Sequence, residues 1–426
     1  MNLLSKLFVL VVLVIYIFGN VSSFVLVNKR LEFDIQKVDK TKDYGEHLIP
    51  KLPLVPIQYR DQEDLSKSLQ LDIPSDSIPF SGSEFGIVVT IKLNNVTQTL
   101  LFDTGSTLVI VPEKRCKSCT EFKTQFYEKG VDTETLKCYS ETCNNTKTLP
   151  ILCGGIDKDI CTFQITYSDG TKYICEMMND YISILENKIP FVFGSIIADI
   201  GKQLPNSYGI LGVGRPCPTC PPTISDNISK YFNIPNILGV RINENYQGKV
   251  TIGDPFINGN HEKLSYTPMD SKRSYGYYVN PTKIEITKIS NRSLILDSQE
   301  LALHYFLVDT GSSLTYFSPE IYDRTVRFIR YNCFIDFKCH NIYENCFLIS
   351  VDRFQLFPTI RITFKDNVTL EIPPEVYFTK IINGVHCIGI MRGATPNKSI
   401  IGLSFMRNNY IIFDKENQRI GFVEKL

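Results

Sequence analysis

Two short segments of this chain are near copies of each other, and they constrain its fold more than any other feature. Each is an apolar run that ends in Asp-Thr-Gly and continues with hydroxyl residues, at 100–107 and at 306–313. An apolar run predicts a buried strand, and a glycine directly after Asp-Thr predicts a tight turn or a close backbone approach. Each copy therefore brings one carboxylate, from Asp103 or Asp309, to the end of a buried strand.

The chemistry of such a pair needs both members. Two carboxylates about 3 Å apart share one proton, because both cannot ionise cheaply at that distance. The ionised carboxylate then acts as a base on water, while the protonated one polarises a carbonyl group. With this duplicated motif the chain resembles the pepsin-like aspartic proteases, which implies that Asp103 and Asp309 are catalytic. The alternative is that they are two unrelated turn aspartates.

The residues beside the two aspartates supply hydrogen-bond donors. The resemblance implies that Gly105, Thr310 and Gly311 contact the substrate. The hydroxyl groups that we expect to influence the protonation of the pair belong to Thr104, Ser106, Thr310 and Ser312. Because one carboxylate must be protonated and the other ionised, the pattern predicts a bell-shaped pH dependence with its maximum at acidic to near-neutral pH.

A further motif spans residues 161–170, where apolar side chains alternate before Ser-Asp-Gly. This pattern predicts a strand and a hairpin turn. It resembles the flap of the pepsin-like family, which implies substrate contacts from Tyr167, Asp169 and Gly170. An ordinary hairpin tyrosine is the alternative for Tyr167, and Asp169 either selects a basic substrate side chain or only favours the turn. The chain contains no tryptophan, so the Trp that usually bonds the flap tyrosine is missing.

Length and composition favour two lobes of β-structure. A chain of 426 residues exceeds the size at which a single core keeps growing. Short runs rich in β-branched and aromatic residues, separated by Gly, Pro and Asn, predict an all-β fold. The resemblance implies the bilobal pepsin-like fold, with an active-site cleft between two β-barrel-like lobes at 79–270 and 271–426. With zero net charge and 21% charged residues, the composition argues against nucleic-acid binding.

Local patterns predict the elements around the motifs. Residues 85–102 predict a hairpin that turns at Asn94-Asn95, and Ser318 predicts the N-cap of a short helix at 319–326. Two apolar-apolar-Gly segments, at 208–214 and 400–405, resemble the family's strands that pass behind the catalytic loops.

The N-terminus predicts targeting to the secretory pathway. Residues 1–23 have a basic start, an apolar core and small residues at Val21 and Ser23, as in a cleaved signal peptide, and an uncleaved anchor is the alternative. Residues 24–78 predict a prosegment or an irregular extension. The basic residues that either cover the dyad or belong to a solvated linker are Lys37, Lys40, Lys42, Lys51 and Arg60. No later stretch is apolar enough to predict a C-terminal membrane span.

The 13 cysteines indicate an oxidising compartment. Asn-x-Ser/Thr sites are consistent with a glycoprotein, and occur at Asn95, Asn144, Asn227, Asn291, Asn367 and Asn397. Six cysteines lie in an insert at 116–161, and sequence alone allows 15 pairings among them. Zinc is the rival interpretation, because Cys116-x-x-Cys119 and Cys217-x-x-Cys220 look like ligand pairs, but these lie too far apart for a zinc ribbon.

The insert resembles that of the nepenthesin-like branch of the family, which also includes plasmepsin V. In that branch the six cysteines of the insert pair among themselves. The resemblance implies Cys346–Cys387 and leaves Cys333–Cys339, while Cys217 and Cys220 are close enough to pair locally. These pairs leave out Cys175, and we expect its thiol to be either buried and inert or exposed beside the flap.

Together these features predict an aspartic endopeptidase that hydrolyses extended polypeptides with an activated water, without metal or cofactor. We expect a monomer that binds pepstatin-type inhibitors and is secreted or resides in a lumenal compartment, endolysosomal or vacuolar. A catalytically inactive binding module on the same fold is the alternative from another functional class. Such modules usually lose an Asp or the flap, whereas this chain keeps Asp103, Asp309 and Tyr167.

Overall fold

The computed structural model shows a chain built mainly of β-strands. It describes residues 25–26, 30–39, 85–145, 151–153, 159–201, 207–216, 220–254, 264–273, 275–287, 293–337, 340–343, 345–382 and 385–423. The predicted signal peptide lies outside the described residues, as do Lys40, Lys42, Lys51, Arg60, Cys217 and Cys339. No helix of the described part is long and apolar enough to cross a membrane.

The first part of the chain forms one large sheet together with the C-terminal strands. Its strands are β1 (Val25–Leu26), β2 (Arg30–Asp39), β3 (Phe85–Leu93), β4 (Val96–Asp103), β5 (Val109–Pro112), β6 (Glu134–Thr135), β7 (Thr162–Thr166), β8 (Lys172–Ile184), β9 (Asn187–Asp199), β10 (Gly209–Gly212), β11 (Ile237–Ile242), β12 (Gly248–Gly253) and β13 (Leu264–Pro268).

The second part contains three smaller sheets and the two strands that return to the large one. These strands are β14 (Tyr278–Val279), β15 (Pro281–Thr287), β16 (Ser293–Leu296), β17 (Tyr305–Val308), β18 (Thr315–Phe317), β19 (His340–Tyr343), β20 (Cys346–Leu348), β21 (Thr359–Phe364), β22 (Thr369–Ile372), β23 (Phe378–Ile382), β24 (Val385–Ile388), β25 (Ile390–Arg392), β26 (Lys398–Ile401), β27 (Asn409–Asp414) and β28 (Arg419–Val423).

Helices are few and mostly short. In the described part they are α1 (Glu141–Asn145), α2 (Ile224–Phe232), α3 (Pro319–Phe337), α4 (Pro374–Tyr377) and α5 (Leu403–Met406), with 3-10 turns at Val351–Leu356 and Lys365–Asn367. The architecture is therefore all-β and bilobal, as the sequence predicts.

The helix after the second Asp-Thr-Gly segment is longer than predicted. The sequence predicts a helix at 319–326, but α3 continues to Phe337. Ile329 and Cys333, both buried, lie one turn apart and extend the packed side, and neither Pro nor Gly interrupts the sequence before 337. Ser318 directly precedes the helix, and its hydroxyl lies 3.1 Å from Nδ1 of His304.

The large sheet joins the two ends of the chain. Its 15 strands include the order β13-β28-β27-β11-β12-β2-β3-β4-β10-β5-β9-β8-β6. Strands β27 and β28 come from the C-terminal part of the chain, yet they pair with β11 and β13, which precede the second lobe in the sequence. The three sheets of the second part have the orders β14-β17-β26-β18-β25, β16-β15-β21-β22 and β19-β20-β24-β23.

Part of the segment predicted as a prosegment or irregular extension is a regular strand. Strand β2 lies between β12 and β3 and pairs with both in antiparallel register. Its side chains Leu31, Phe33 and Ile35 are buried in the main core. Lys37 is exposed and lies over the ring of Tyr246, in the loop between β11 and β12. The alternation of apolar residues is present in the sequence, but the many charged residues of this segment favour an irregular extension.

Two predicted local features are confirmed. Strands β3 and β4 form the hairpin, and Asn94 and Asn95 have φ of 46° and 64° at its turn. These left-handed values match a type I′ turn, which asparagine tolerates better than other side chains. The segment Gly209–Gly212 forms β10, which runs parallel to β4.

The cysteines of the insert pair among themselves, as predicted. The disulfides are Cys116–Cys119, Cys138–Cys153 and Cys143–Cys161, and the second lobe contains Cys346–Cys387. Cys220 and Cys333 are also disulfide-bonded. Because Cys116 and Cys119 bond each other, they do not form the zinc ligand pair that their spacing allowed. The described residues contain no cluster of His, Cys, Asp and Glu able to hold a metal.

Candidate active site

Two buried strands deliver the two aspartates to one place. Strand β4 ends at Asp103, and Asp309 directly follows β17. Each strand has a parallel neighbour that passes behind it: Gly212 of β10 pairs with Asp103, and β26 runs alongside β17. A Cβ on Gly212 would lie 2.5 Å from the carbonyl oxygen of Leu108. The crossing therefore requires glycine at this position.

The two loops are locked together by their threonines. The Thr104 N–H donates to Thr310 Oγ1 at 3.0 Å, and the Thr310 N–H donates to Thr104 Oγ1 at 2.9 Å. The hydroxyl of Thr104 also donates to the carbonyl of Val308 at 3.0 Å, and that of Thr310 to the carbonyl of Phe102 at 2.9 Å. Both threonines are fully buried. These four hydrogen bonds of Thr104 and Thr310, which we call the threonine lock, fix the backbone next to each aspartate to the opposite lobe.

Each carboxylate accepts hydrogen bonds from an equivalent pair of donors in its own loop. Asp103 accepts bonds of 2.7 Å from the N–H of the glycine two positions on and 2.5 Å from the hydroxyl of the serine three positions on. Asp309 accepts the equivalent bonds at 2.8 Å and 2.7 Å. The duplicated sequence therefore produces duplicated geometry around each carboxylate.

The two carboxylates face each other at close range. A Cβ on Gly105 would lie 2.5 Å from Oδ1 of Asp309, and one on Gly311 would clash with Asp103. Asp103 and Asp309 are only 7% and 9% exposed. Burial, followed by the charge of Asp309, raises the pKa of Asp103 to about 7. One proton is therefore held on the pair at mildly acidic pH.

A hairpin brings Tyr167 to the pair. Strands β7 and β8 flank it, and Gly170 closes the turn with φ of 90°. Burial raises the pKa of Tyr167, and the charge of Asp103 raises it further, which indicates that the phenol lies near this carboxylate. Asp169 Oδ1 accepts bonds from the N–H and the hydroxyl of Thr171, at 2.9 Å and 2.7 Å. One oxygen of Asp169 thus stabilises the turn, which was one of its two predicted roles.

This geometry agrees with comparisons to known proteins. The family model "Asp: Eukaryotic aspartyl protease" matches residues 84–425. The chain belongs to the eukaryotic aspartyl protease family. Relatives in the curated proteins include Arabidopsis thaliana "Aspartic proteinase-like protein 1", 23% identical over 85% of this chain and 72% of that protein. Another is "Aspartic proteinase nepenthesin-1" of Nepenthes gracilis, 24% identical over 76% of this chain and 73% of its own.

A third relative and a solved structure extend the comparison. "Aspartic protease 5" of Toxoplasma gondii is 22% identical over 76% of this chain, which covers 34% of that longer protein. The crystal structure of Basic 7S globulin from soybean superposes with a TM-score of 0.59 at 16% identity, and covers 80% of this chain and 93% of that one. At this identity the structural likeness shows the fold alone.

The thirteenth cysteine of this aspartyl protease is buried and free, one of the two outcomes expected from the sequence. Cys175 lies on β8, between Phe163 of β7 and Ile196 of β9, and is fully buried. Burial raises the pKa of its thiol, which keeps it protonated. A buried protonated thiol behaves as a small apolar side chain.

One residue near the dyad of the aspartyl protease was not found from the sequence. Tyr277 lies just before β14 and is fully buried, and its hydroxyl donates to the carbonyl of Val213 at 2.8 Å. The sequence indicates only a strand at this point. No spacing rule connects a tyrosine of one lobe to a backbone carbonyl of the other.

Proposed function

We propose that this chain is an active aspartic endopeptidase, which hydrolyses peptide bonds with a water activated by Asp103 and Asp309. The observation that carries the proposal is the facing pair itself. Both carboxylates keep the same two donors, and the pKa of Asp103 is raised to about 7 by burial and by its partner. An inactive binding module has no need for a proton-sharing pair held this closely.

The pair supports acid–base catalysis without a covalent intermediate. With one proton between them, one carboxylate takes a proton from water while the other donates a hydrogen bond to the scissile carbonyl. The water then adds to the carbonyl carbon, and the proton taken up by the base passes to the leaving amine. The serine and glycine donors stabilise the charge on the pair while the threonine lock fixes its spacing.

The substrate is an extended polypeptide that lies between the flap and the two loops. Tyr167, Asp169 and Gly170 contact it from the flap side. The two glycines beside the carboxylates, Gly105 and Gly311, contact it from below, whereas the fully buried Thr310 does not reach it. The hydroxyl of Thr310 is already bonded to Phe102. Its role towards the substrate is therefore to position the loop.

The disulfides support a compartment of the secretory pathway. Cysteine pairs persist in the secretory pathway and outside the cell, where thiols are not kept reduced. We propose a signal peptide at 1–23, lobes that divide near residue 270, and a monomeric enzyme that is secreted or lumenal. Asn95 and Asn367 lie exposed at turns, where a glycan is sterically tolerated.

Digestion of a peptide library by the purified protein tests the proposal. We expect cleavage with a bell-shaped pH dependence, inhibition by pepstatin, and no cleavage by Asp309→Asn. Asp132→Asn, a substitution at an exposed loop residue, is the matched control and should cleave as the wild type does. If the wild type cleaves nothing between pH 3 and 8 yet binds peptides, the chain is the alternative binding module.

A further inference from the structure

Tyr277 spans the boundary between the lobes. It belongs to the first strand region of the second lobe, and its hydroxyl donates to the carbonyl of Val213 in the first lobe at 2.8 Å. Its ring packs against Phe413 of β27, with the centroids 4.4 Å apart. The side chain is fully buried, so the bond is shielded from water. A buried bond of this kind constrains the two groups more than an exposed one.

The bond is one member of a closed circuit around the dyad. The N–H of Val213 donates to the carbonyl of Asp103 at 2.9 Å, and the carbonyl of Tyr277 accepts the N–H of Val308 at 3.0 Å. The carbonyl of Val308 in turn accepts the hydroxyl of Thr104 at 3.0 Å. Since Thr104 follows Asp103 in the chain, the circuit returns to its starting point.

The circuit controls the distance between the carboxylates. Val308 directly precedes Asp309, and Val213 bonds the backbone of Asp103 itself. A change in either position moves one carboxylate relative to the other. The repulsion between two charges varies inversely with their separation, and it is strong where water is excluded. The spacing therefore sets how firmly the pair holds its shared proton.

We infer that Tyr277 is a positioning residue for the dyad, whose hydroxyl holds the first catalytic loop at a fixed distance from the second. The inference rests on the proposed function, because it assigns a role in the same reaction. Tyr277 contacts neither the substrate nor the reacting atoms. It acts through Val213 and Val308, the backbone neighbours of the two aspartates.

The phenol remains a donor throughout the working pH range. Burial raises the pKa of Tyr277 well above its usual value, and Asp226 raises it further, against a smaller opposing effect of Arg215. The titratable groups that face the dyad, Tyr167 from the flap and Tyr278 from β14, also have a pKa raised by burial. The protonation change that a kinetic pH profile reports at mildly acidic pH therefore belongs to the two carboxylates.

Tyr277→Phe tests the inference, with Tyr377→Phe as its matched control. Tyr377 is also fully buried and also donates to a backbone carbonyl, that of Pro358 at 2.9 Å, in the second lobe away from the circuit. Both substitutions remove one hydroxyl and keep the ring. We expect each to lower Tm by about 2–4 °C. Only Tyr277→Phe should lower kcat, by about tenfold, with KM nearly unchanged.

The pH profile separates positioning from a merely structural role. When the loops are held less firmly, the charge of Asp309 raises the pKa of Asp103 less. The basic limb of the kcat profile of Tyr277→Phe should therefore move to lower pH, while Tyr377→Phe keeps the profile of the wild type. If both variants lose the same activity, or if Tyr277→Phe loses only stability, the inference is wrong.

Two further measurements cover the remaining outcomes. If Tyr277→Phe does not fold, Phe413→Leu removes the ring against which Tyr277 packs and so loosens the bond from its hydroxyl to Val213, and a smaller shift of the basic limb in the same direction is expected. An unshifted profile in that variant contradicts the inference. If the wild type has no activity, the proposed function fails, and the pH dependence of unfolding then reports the titration of Asp103. A titration unchanged by Tyr277→Phe would overturn the inference on that ground alone.

Discussion

The strands that pass behind the loops of Asp103 and Asp309 are built alike but are supported differently. In the first lobe the carbonyl of Val213 accepts the hydroxyl of Tyr277, which comes from the other lobe. In the second lobe the corresponding residue is Leu403, whose carbonyl accepts the N–H of Arg407 after the short helix α5. The first support crosses the molecule, whereas the second is local.

The residues that follow Val213 and Leu403 also support their segments differently. Gly214 follows Val213 and has no side chain to offer. Ser404 follows Leu403, and its hydroxyl donates to the carbonyl of Gly389 at 2.8 Å and accepts the N–H of Thr315 at 2.9 Å. The segment behind the second loop is thus supported within its own lobe. The donors around the two carboxylates are the same in both halves, whereas the supports behind them differ.

The largest effect should come from the carboxylates, where the two halves are equivalent. Asp103→Asn and Asp309→Asn each remove the ability to share a proton but keep the shape of the side chain. We expect kcat to fall at least about 100-fold in both, because acid–base catalysis contributes at least that much. Turnover measured on a peptide cleaved by the wild type checks this. A variant that keeps more than a few per cent of activity would show that only one carboxylate is essential.

The threonine lock should also respond symmetrically. Thr104→Val and Thr310→Val each remove two buried hydrogen bonds and leave a buried N–H of the opposite loop without its acceptor. We expect each to lower the free energy of unfolding by about 2–4 kcal/mol. Because each side chain bonds the backbone of the loop that carries the other, the double variant should lose less than the sum of the single losses. Urea unfolding of the four proteins measures this, and strictly additive losses would contradict a coupled lock.

Ser404→Ala tests the local support of the second loop. The substitution leaves the buried N–H of Thr315 without its acceptor, so we expect a loss of about 1–3 kcal/mol in the free energy of unfolding. Ser293→Ala, at an exposed position of the same lobe, is the control and should change stability by less than about 0.5 kcal/mol. Equal stability of the two variants would show that the second loop does not depend on Ser404.

The raised pKa of Asp103 has a consequence for stability. In the unfolded chain an aspartate has a pKa of about 3.9, whereas in the folded protein that of Asp103 is about 7. A raised folded-state pKa contributes stability that is fully present below the unfolded value and is lost as pH rises through the folded value. We therefore expect Asp103→Asn to be more stable relative to the wild type at pH 7.5 than at pH 4, by at least about 1 kcal/mol. Urea unfolding at both pH values checks this, and an equal difference at the two would contradict the raised pKa.

The smallest effect is expected at Cys175, in the flap hairpin of the first lobe. A thiol reagent should not label Cys175 in the native protein, and Cys175→Ala should change kcat less than twofold. Peptide mapping without reduction, after labelling in native and in denaturing conditions, identifies the modified cysteine. Labelling of Cys175 in the native state would show that the hairpin opens far enough to expose its core side.

Much of the site follows from short-range pattern. The apolar runs before Asp103 and Asp309 predict buried strands, and the glycines after them predict the close approach that the structure shows. Asn94-Asn95 and Asp169-Gly170 mark their turns because these residue types tolerate left-handed or tight backbone conformations. Patterns of this kind depend only on neighbours in the chain, so the sequence contains them in full.

Other features required the tertiary structure. Strand β2 has a visible alternation at Leu31, Phe33 and Ile35, but nothing in its sequence names β12 and β3 as its partners. The bond from Tyr277 to Val213 likewise joins residues 64 positions apart. Pairing across such distances depends on which surfaces meet once the chain has collapsed. The sequence by itself therefore determined the carboxylates, their turns and the β-structure, because these follow from side-chain periodicity and backbone preference. Only the folded chain decided how the two loops are spaced and supported, because that depends on buried bonds between distant segments.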